Sequence, residues 1–238
     1  MADLDGKHIV VTGATGGLGG AVVALLLERG AVCHLPMVER EVPSHMPWIG
    51  HARVDAKPAV VLTSEDEVTA YYAAQPPLWG SVHLVGGFAM SPIVDTGLAD
   101  FEKMHQLNAV TAFLCSREAV RSIRRRADAP GAAPGGRIVN VAARPAVSPA
   151  GGMIAYTTSK AAVASLTECL AKEVVAENIL ANAIVPSIID TPANRASMPS
   201  ADFTKWPKAS ELAEAIAFLV SPANRLTSGA LVPVYGAA

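Results

Sequence analysis

Cysteine is scarce in this chain of 238 residues: Cys33, Cys115 and Cys169 lie far apart in apolar stretches. Without a CxxC pair there is neither a redox motif nor a zinc knuckle. The spacing predicts three reduced, buried thiols in a reducing compartment. Histidine is sparse too, with six residues and no HExxH spacing; His45 and His51 fall in a Pro-rich irregular stretch, so no metal site is expected. Charge is low, with 17% charged residues and a formal net charge of -2. That balance offers no electrostatic attraction to nucleic acid or to an acidic membrane. No apolar run reaches the roughly 18 residues of a membrane span. The longest, Ala21 to Leu27, is stopped by Glu28-Arg29. The opening Met1-Ala2-Asp3-Leu4-Asp5 is acidic and has no signal-peptide core, so the cytoplasm is the expected compartment.

What is present is a globular composition, 51% hydrophobic, on a chain able to bury a core without disulfides or metals. There are no repeats and no domain-scale linker, so residues 1–238 are expected to form one domain. Short β-branched runs alternate with helix-period runs, the pattern of a parallel sheet with helices on both faces. Strands are predicted at His8 to Thr12, Val32 to Leu35, Val60 to Leu62, Ser81 to Val85, Arg137 to Val141, Leu180 to Val185 and Leu231 to Val234. Helices are predicted at Gly17 to Arg29, stopped by Gly30, and at Asp100 to Arg126, Ile154 to Ala176 and Ser210 to Val220, with Ser210 as a cap. Ser64-Glu65-Asp66-Glu67 offers a capping box for a further helix. Thr191-Pro192 reads as an N-cap followed by Pro at the first helical position. Residues Pro36 to Pro58 lack periodicity, so any helix there is short or broken. Ala127 to Gly136 reads as a mobile Ala/Pro/Gly loop. Arg124-Arg125-Arg126 complements the negative end of a helix dipole.

Two motifs carry chemistry. The first strand runs into Thr12-Gly13-Ala14-Thr15-Gly16-Gly17-Leu18-Gly19. Small residues let the chain turn sharply and let a pyrophosphate approach the backbone, while the next helix presents free N–H groups to the anion. The motif follows a predicted strand and opens a predicted helix, which is the context dinucleotide binding needs. The second motif is Tyr156-Thr157-Thr158-Ser159-Lys160 at the start of a predicted helix. Positions i and i+4 share a face. An ammonium there favours the phenolate, lowering a pKa that starts near 10 and making Tyr156 an acid for carbonyl reduction or a base for alcohol oxidation.

With these residues in this order, the chain resembles the short-chain dehydrogenase/reductase family over nearly its full length. Leu107-Asn108-Ala109 is similar to the family's catalytic asparagine segment, and Gly136-Arg137-Ile138-Val139-Asn140-Val141 to its fifth strand. Pro186-Ser187-Ile188-Ile189-Asp190-Thr191 resembles the segment that touches the nicotinamide carboxamide, and Leu226-Thr227-Ser228-Gly229 a C-terminal signature. The resemblance implies an α/β fold, a Rossmann-type doubly wound domain with a seven-stranded, mostly parallel sheet. It implies a homodimer or homotetramer pairing the two long helices. It implies catalysis by Tyr156, Lys160 and Asn108, the last anchoring a relay water. It implies coenzyme contacts from Gly13, Thr15, Gly16, Gly17, Leu18, Gly19, Gly86, Gly87, Tyr156, Lys160, Pro186, Ile188 and Thr191.

The departures matter as much. Thirteen residues before Tyr156, where the family has a serine, stands Ala143, followed by Arg144; Ser148 lies in the next loop. These three are the expected substrate-pocket residues, under a lid at about 190–208. Loss of one such hydrogen-bond donor typically costs about 3–4 kcal/mol. Val85-Gly86-Gly87-Phe88 replaces the usual asparagine-containing segment, and Val234-Tyr235-Gly236 an Asp-Gly pair. The missing serine, the Gly-Gly-aromatic segment, Gly151 to Tyr156 and the stretch from Asp190 to Trp206 are similar to the dihydropteridine reductase subgroup. A conjugated, polarised acceptor depends less on a serine donor. The implied reaction is therefore NAD(P)H-dependent reduction of a small carbonyl or a conjugated, dihydropteridine-like substrate; an ordinary ketone or ketoacyl reductase, or an alcohol dehydrogenase, and a non-catalytic dinucleotide-binding scaffold are the alternatives. An acid at the end of the second strand would mark NAD, but that position is Met37, followed by Glu39 and Arg40. The choice between NAD(H) and NADP(H) stays open. Leu62 falls at the adenine-pocket position, with Asp55 the alternative if the strand starts earlier.

Overall fold

The computed structural model describes residues 3–128 and 134–237. Its strands are β1 (His8–Thr12), β2 (Val32–Pro36), β3 (Val54–Lys57), β4 (Gly80–His83), β5 (Gly136–Val141), β6 (Ile179–Pro186) and β7 (Leu231–Val234). They form one sheet in the order β3-β2-β1-β4-β5-β6-β7, and every pairing is parallel. Helices α1 (Gly19–Glu28), α2 (Glu65–Ala74), α3 (Leu98–His105), α4 (Thr111–Ala127), α5 (Arg144–Val147), α6 (Ile154–Val174), α7 (Pro192–Ser197) and α8 (Ala209–Val220) connect or cover them. This is the expected doubly wound arrangement. The strand order reverses between β1 and β4, which opens a crevice at the carboxyl ends of those strands.

Burial on both faces explains the strand sequences. Successive side chains alternate sides, so Ile9 and Val11 pack with Val22, Leu26, Leu212 and Ile216 under α1 and α8. Val10 points the other way, into a second core with Val68, Tyr72, Leu114 and Ile123 under α2 and α4. Gly30 ends α1 at φ +94°, a left-handed position that a side chain resists.

The third strand lies at Val54–Lys57, not at residues 60–62. Pro58 brings no N–H to a ladder, and Ala59 turns the chain at φ +57°. Val60 and Leu62 are apolar because they are buried in the turn before α2, where no strand forms. Between β2 and β3 no helix forms; Met46 and Trp48 dock into the core and do that helix's packing. Ser64 caps α2 by accepting from the Glu67 N–H at 3.4 Å, while the Glu67 carboxylate reaches past it to the Val61 N–H at 2.7 Å. At α8 the cap residue is Lys208, whose backbone N–H donates to Glu211 at 2.7 Å, so Ser210 lies inside the helix. The long helix predicted over 100–126 begins at Leu98 and is interrupted by one wide π turn, Gln106–Val110. Cys33 and Cys115 are buried as expected, but Cys169 is exposed. Half of the loop predicted over 127–136, residues 129–133, lies outside the described residues. Among the described residues no helix is long and apolar enough to cross a membrane, and no cluster of His, Cys, Asp or Glu suits a metal ion.

Candidate active site

The crevice begins in the glycine loop. Gly13 sits at φ +68°, and a Cβ there would lie 2.9 Å from the Val85 nitrogen. At Gly19 a Cβ would meet the Gly13 carbonyl oxygen at 2.1 Å. Both contacts are with backbone, which cannot move aside, so the loop closes onto β4 only with glycine. Gly16 donates its N–H back to the Gly13 carbonyl at 3.1 Å, forming a tight turn into α1. Gly17 abuts Thr191, where a Cβ would lie 2.8 Å from the threonine methyl. Loop, helix N-terminus and the segment after β6 thus meet at one edge of the crevice. Such a bare backbone cradle fits a dinucleotide pyrophosphate.

Beside it lies a cavity of about 170 Å³ whose lining includes Gly13, Thr15, Met37, Glu39, Leu62 and Thr63. The structure therefore brings Met37 and Leu62 together with the loop. Asp55, the alternative, is elsewhere: it lies on β3 and pairs with His34 at 3.2 Å.

The second half of the site is built by α6 and the π turn. Lys160 is buried, and its ammonium donates to the Val141 carbonyl at 2.8 Å, tying α6 to the end of β5. Burial pulls its pKa down to about 8. The Asn108 side chain, also buried, accepts the Gly87 N–H at 3.0 Å and donates to the Gly87 carbonyl at 3.1 Å and to the Ser159 hydroxyl at 3.0 Å. Ser159 in turn donates to the Tyr156 carbonyl at 2.7 Å. A π turn is a common device at functional positions. Here it carries a polar side chain into the crevice, and Thr111 caps the disturbed backbone by donating to the Leu107 carbonyl at 2.8 Å. Gly86 closes the cluster: a Cβ would lie 2.6 Å from Asn108 Oδ1 and 3.0 Å from Lys160 Nζ.

One expectation changes. The phenol of Tyr156 is pushed up, to about 12, with burial the cause. The lysine does not lower it, because the ammonium is itself desolvated and turned to the Val141 carbonyl. Both Asn108 amide hydrogens are used within the protein, so a water could be held by that side chain only through Oδ1, which already accepts the Gly87 N–H. Ala143 is buried at the head of α5, Arg144 lies over the Tyr235 ring at 5.0 Å, and Ser148 is exposed at the far end of that short helix. Pro186 ends β6, Ile188 is exposed, and the Thr191 hydroxyl caps α7 by accepting from the Asn194 N–H at 3.2 Å.

Three residues join the site that sequence reasoning did not place there. Ser159 links Asn108 to α6, and its only signal is its position inside the Tyr–Lys motif. Phe88 is exposed, and its ring meets Tyr156 edge-on at 4.9 Å and 78°. Its signal was an aromatic directly after two glycines. Glu39 accepts from the Thr15 hydroxyl at 2.7 Å. Twenty-four residues separate that pair, which no local pattern discloses.

The segment from Asp190 to Lys208 is pinned at both ends by a bridge between those two residues. Inside it, Arg195 makes a two-pronged contact with Asp190 at 2.6 and 2.7 Å and lies over Phe203.

The family model described as short chain dehydrogenase matches residues 7–202. A short-chain type dehydrogenase/reductase of Picea abies is 28% identical over 98% of this chain and 92% of its own. The cis-4-hydroxycyclohexanecarboxylate dehydrogenase of Sinomonas cyclohexanicum is 30% identical over 95% of this chain and 94% of its own. Among solved structures, ElxO with NADP bound shares the fold, with a TM-score of 0.85 at 21% identity over 97% of this chain and 98% of that one.

Proposed function

The chain belongs to the short-chain dehydrogenase family, an oxidoreductase with an NAD(P)-binding fold, and from that premise we propose that it reduces a small conjugated or carbonyl acceptor through Tyr156, Lys160 and Asn108. The observation that carries this reading is the convergence at Gly86, where a Cβ would touch both Asn108 and Lys160.

The glycine loop would hold the pyrophosphate, Met37 and Leu62 the adenosine end, Gly86, Gly87 and Lys160 the adjoining riboses, and Pro186, Ile188 and Thr191 the nicotinamide end. A nicotinamide dinucleotide, when bound, supplies a hydride. Tyr156 supplies the accompanying proton from its hydroxyl to the substrate oxygen or nitrogen. With its pKa raised to about 12, Tyr156 is protonated across the neutral range, as a reductase acid must be. Lys160, near its own titration point at neutral to mildly basic pH, holds positive charge beside the reacting centre. Asn108 acts as a positioning residue, fixing Gly87 and, through Ser159, the first turn of α6.

The finer substrate reading is dihydropteridine-like. It is supported by Ala143, which offers no hydroxyl to a carbonyl oxygen, and by Phe88, an exposed ring beside Tyr156 against which a planar acceptor can stack. Ala143, Arg144 and Ser148 would line the pocket, and residues 190–208 would close it as a lid within one domain. An ordinary ketone reductase or alcohol dehydrogenase is the alternative chemistry. A non-catalytic scaffold is favoured only by Ala143, and the intact Asn108–Ser159–Lys160 arrangement argues against it. The reading includes a cytoplasmic homo-oligomer joined through α4 and α6, supported by a groove between them lined by Phe113, Arg117, Leu166 and Cys169.

The test is oxidation of NADH and NADPH against a panel of ketones and a quinonoid dihydropterin. Tyr156→Phe is expected to lower turnover by about 10²–10⁴ while coenzyme binding persists. Unchanged turnover in that variant would remove the mechanism.

A further inference from the structure

The cavity beside the glycine loop has an apolar lining interrupted by one ionisable side chain, Glu39. Its carboxylate is held in place. Oε1 accepts from the Thr15 hydroxyl at 2.7 Å, and the backbone carbonyl of Glu39 accepts from the Ala59 N–H at 2.8 Å. Among the described residues Oε2 has no hydrogen-bond partner. Among the described residues no lysine or arginine lines the cavity, and the neighbouring Arg40 is exposed outside it. The end of β2, where an acid would ordinarily read a ribose, is occupied by Pro36 and the buried Met37.

We propose that Glu39, oriented by Thr15, selects NADH over NADPH by accepting hydrogen bonds from the adenosine ribose hydroxyls and repelling a 2′-phosphate. This rests on the reading that the crevice binds a nicotinamide dinucleotide, and it decides between the two forms. The physical argument is charge and geometry. Thr15 belongs to the loop that would face the pyrophosphate, so a carboxylate bonded to Thr15 stands at the adjoining sugar. A vicinal diol donates to a carboxylate, whereas a phosphate dianion there meets like charge inside a largely apolar wall with no cation to offset it. Because the acid arrives three residues beyond the end of β2 and is fixed by a side chain from another loop, the strand-end position gives the wrong answer when read alone.

The experiment is coenzyme binding without substrate, followed by nicotinamide fluorescence and calorimetry on the full chain. NADH is expected to bind about 100-fold more tightly than NADPH. Glu39→Gln is expected to narrow that ratio to about 10-fold or less, chiefly by strengthening NADPH binding. Thr15→Val, which keeps the volume and releases the carboxylate, narrows it in the same direction by a smaller factor, and thermal melts establish that both variants are folded. NADPH binding as tight as NADH in the unaltered protein, or a ratio that neither variant moves, overturns the selection and leaves the dinucleotide reading standing. Failure of both coenzymes to bind the unaltered protein overturns the dinucleotide reading and this inference with it.

Discussion

Two buried polar clusters lie side by side against β4 and β5, and they obey opposite rules. In the first, Asn140 donates to Thr167 at 3.0 Å, which turns its carbonyl toward His83 at 2.8 Å. His83 must then donate from Nδ1, leaving Nε2 to accept from Ser81 at 2.8 Å, and Ser81 accepts in turn from the Tyr72 hydroxyl at 2.9 Å. Burial keeps the imidazole neutral, with its pKa pulled down to about 4. The chain is uncharged, and each member's demand is met by the next. In the second cluster a lysine is buried on one carbonyl, and the half-buried Tyr156 makes no hydrogen bond through its hydroxyl to another described residue. A closed network holds strands and helices in register and offers nothing to a ligand. An open one, desolvated and under-partnered, is poised for chemistry at a cost to stability.

The sharpest way to break this contrast is Lys160→Met. Turnover should fall by about 10²–10⁴. Stability at pH 7 should rise, because the variant no longer buries an ammonium. The sign follows from linkage. The folded-state pKa, about 8, lies below the ordinary 10.5, so between these values the unfolded chain binds a proton that the folded chain has released. The native lysine therefore costs most below pH 8. The variant's advantage should shrink as pH rises through that window and vanish above about 10.5. Chemical denaturation at pH 7, 9 and 11 checks this, and a variant less stable at pH 7 than at pH 11, relative to the native chain, contradicts it.

His83→Ala should behave in the opposite way. It leaves the Asn140 carbonyl and the Ser81 hydroxyl without their partner and opens a small cavity, costing about 2–4 kcal/mol. Coenzyme binding should change little. The native protein should also weaken as pH falls from about 6.5 toward 4, since across that range the unfolded chain takes up a proton on this histidine that the folded chain refuses. The variant should lack that component of the acid slope. Equal slopes in the two proteins would mean that His83 is not the group responsible.

The contrast also explains what could be read in advance. The strands at 8–12 and 231–234 came out at their predicted bounds because each is a short apolar run ended by turn chemistry. Tyr156, Lys160 and the glycine loop were legible because their spacing is local, set by one helical turn and one tight loop. The third strand was not. Val54–Lys57 lies at the sheet edge with alternating exposure, so its composition is mixed, while the apolar signal came from Val60 and Leu62 packing in the following turn. The π turn at 106–110 leaves no composition mark. The Thr15–Glu39 and Asn108–Ser159 contacts join residues far apart in the chain, and only folding juxtaposes them. The direction of the Tyr156 shift was misjudged for a related reason: spacing locates a charge, but burial decides what it does.

The smallest expected effect, and the finest probe of the open cluster, comes from Ala143→Ser. Ala143 is buried, has an extended backbone at φ -163°, and occupies the N-cap position of α5 with Pro145 in the first turn. A hydroxyl there has two competing uses. It can accept the Ala146 N–H, as N-cap serines do, adding about 0.5–1 kcal/mol of stability and no activity. Or it can point into the crevice and donate to a substrate oxygen, raising kcat on simple ketones by about 10-fold with stability almost unchanged. The open character of the site predicts the second outcome, because the group that lacks a partner there is the substrate's oxygen; the Ala146 N–H already donates to the Ala143 carbonyl at 2.9 Å. Steady-state kinetics on a ketone and on a quinonoid dihydropterin, paired with a thermal melt, separates the two. A gain confined to the ketone supports a pocket adapted to an acceptor that needs no serine, whereas a rise in stability without any kinetic change would show that the head of α5 belongs to the closed, structural kind of polar site.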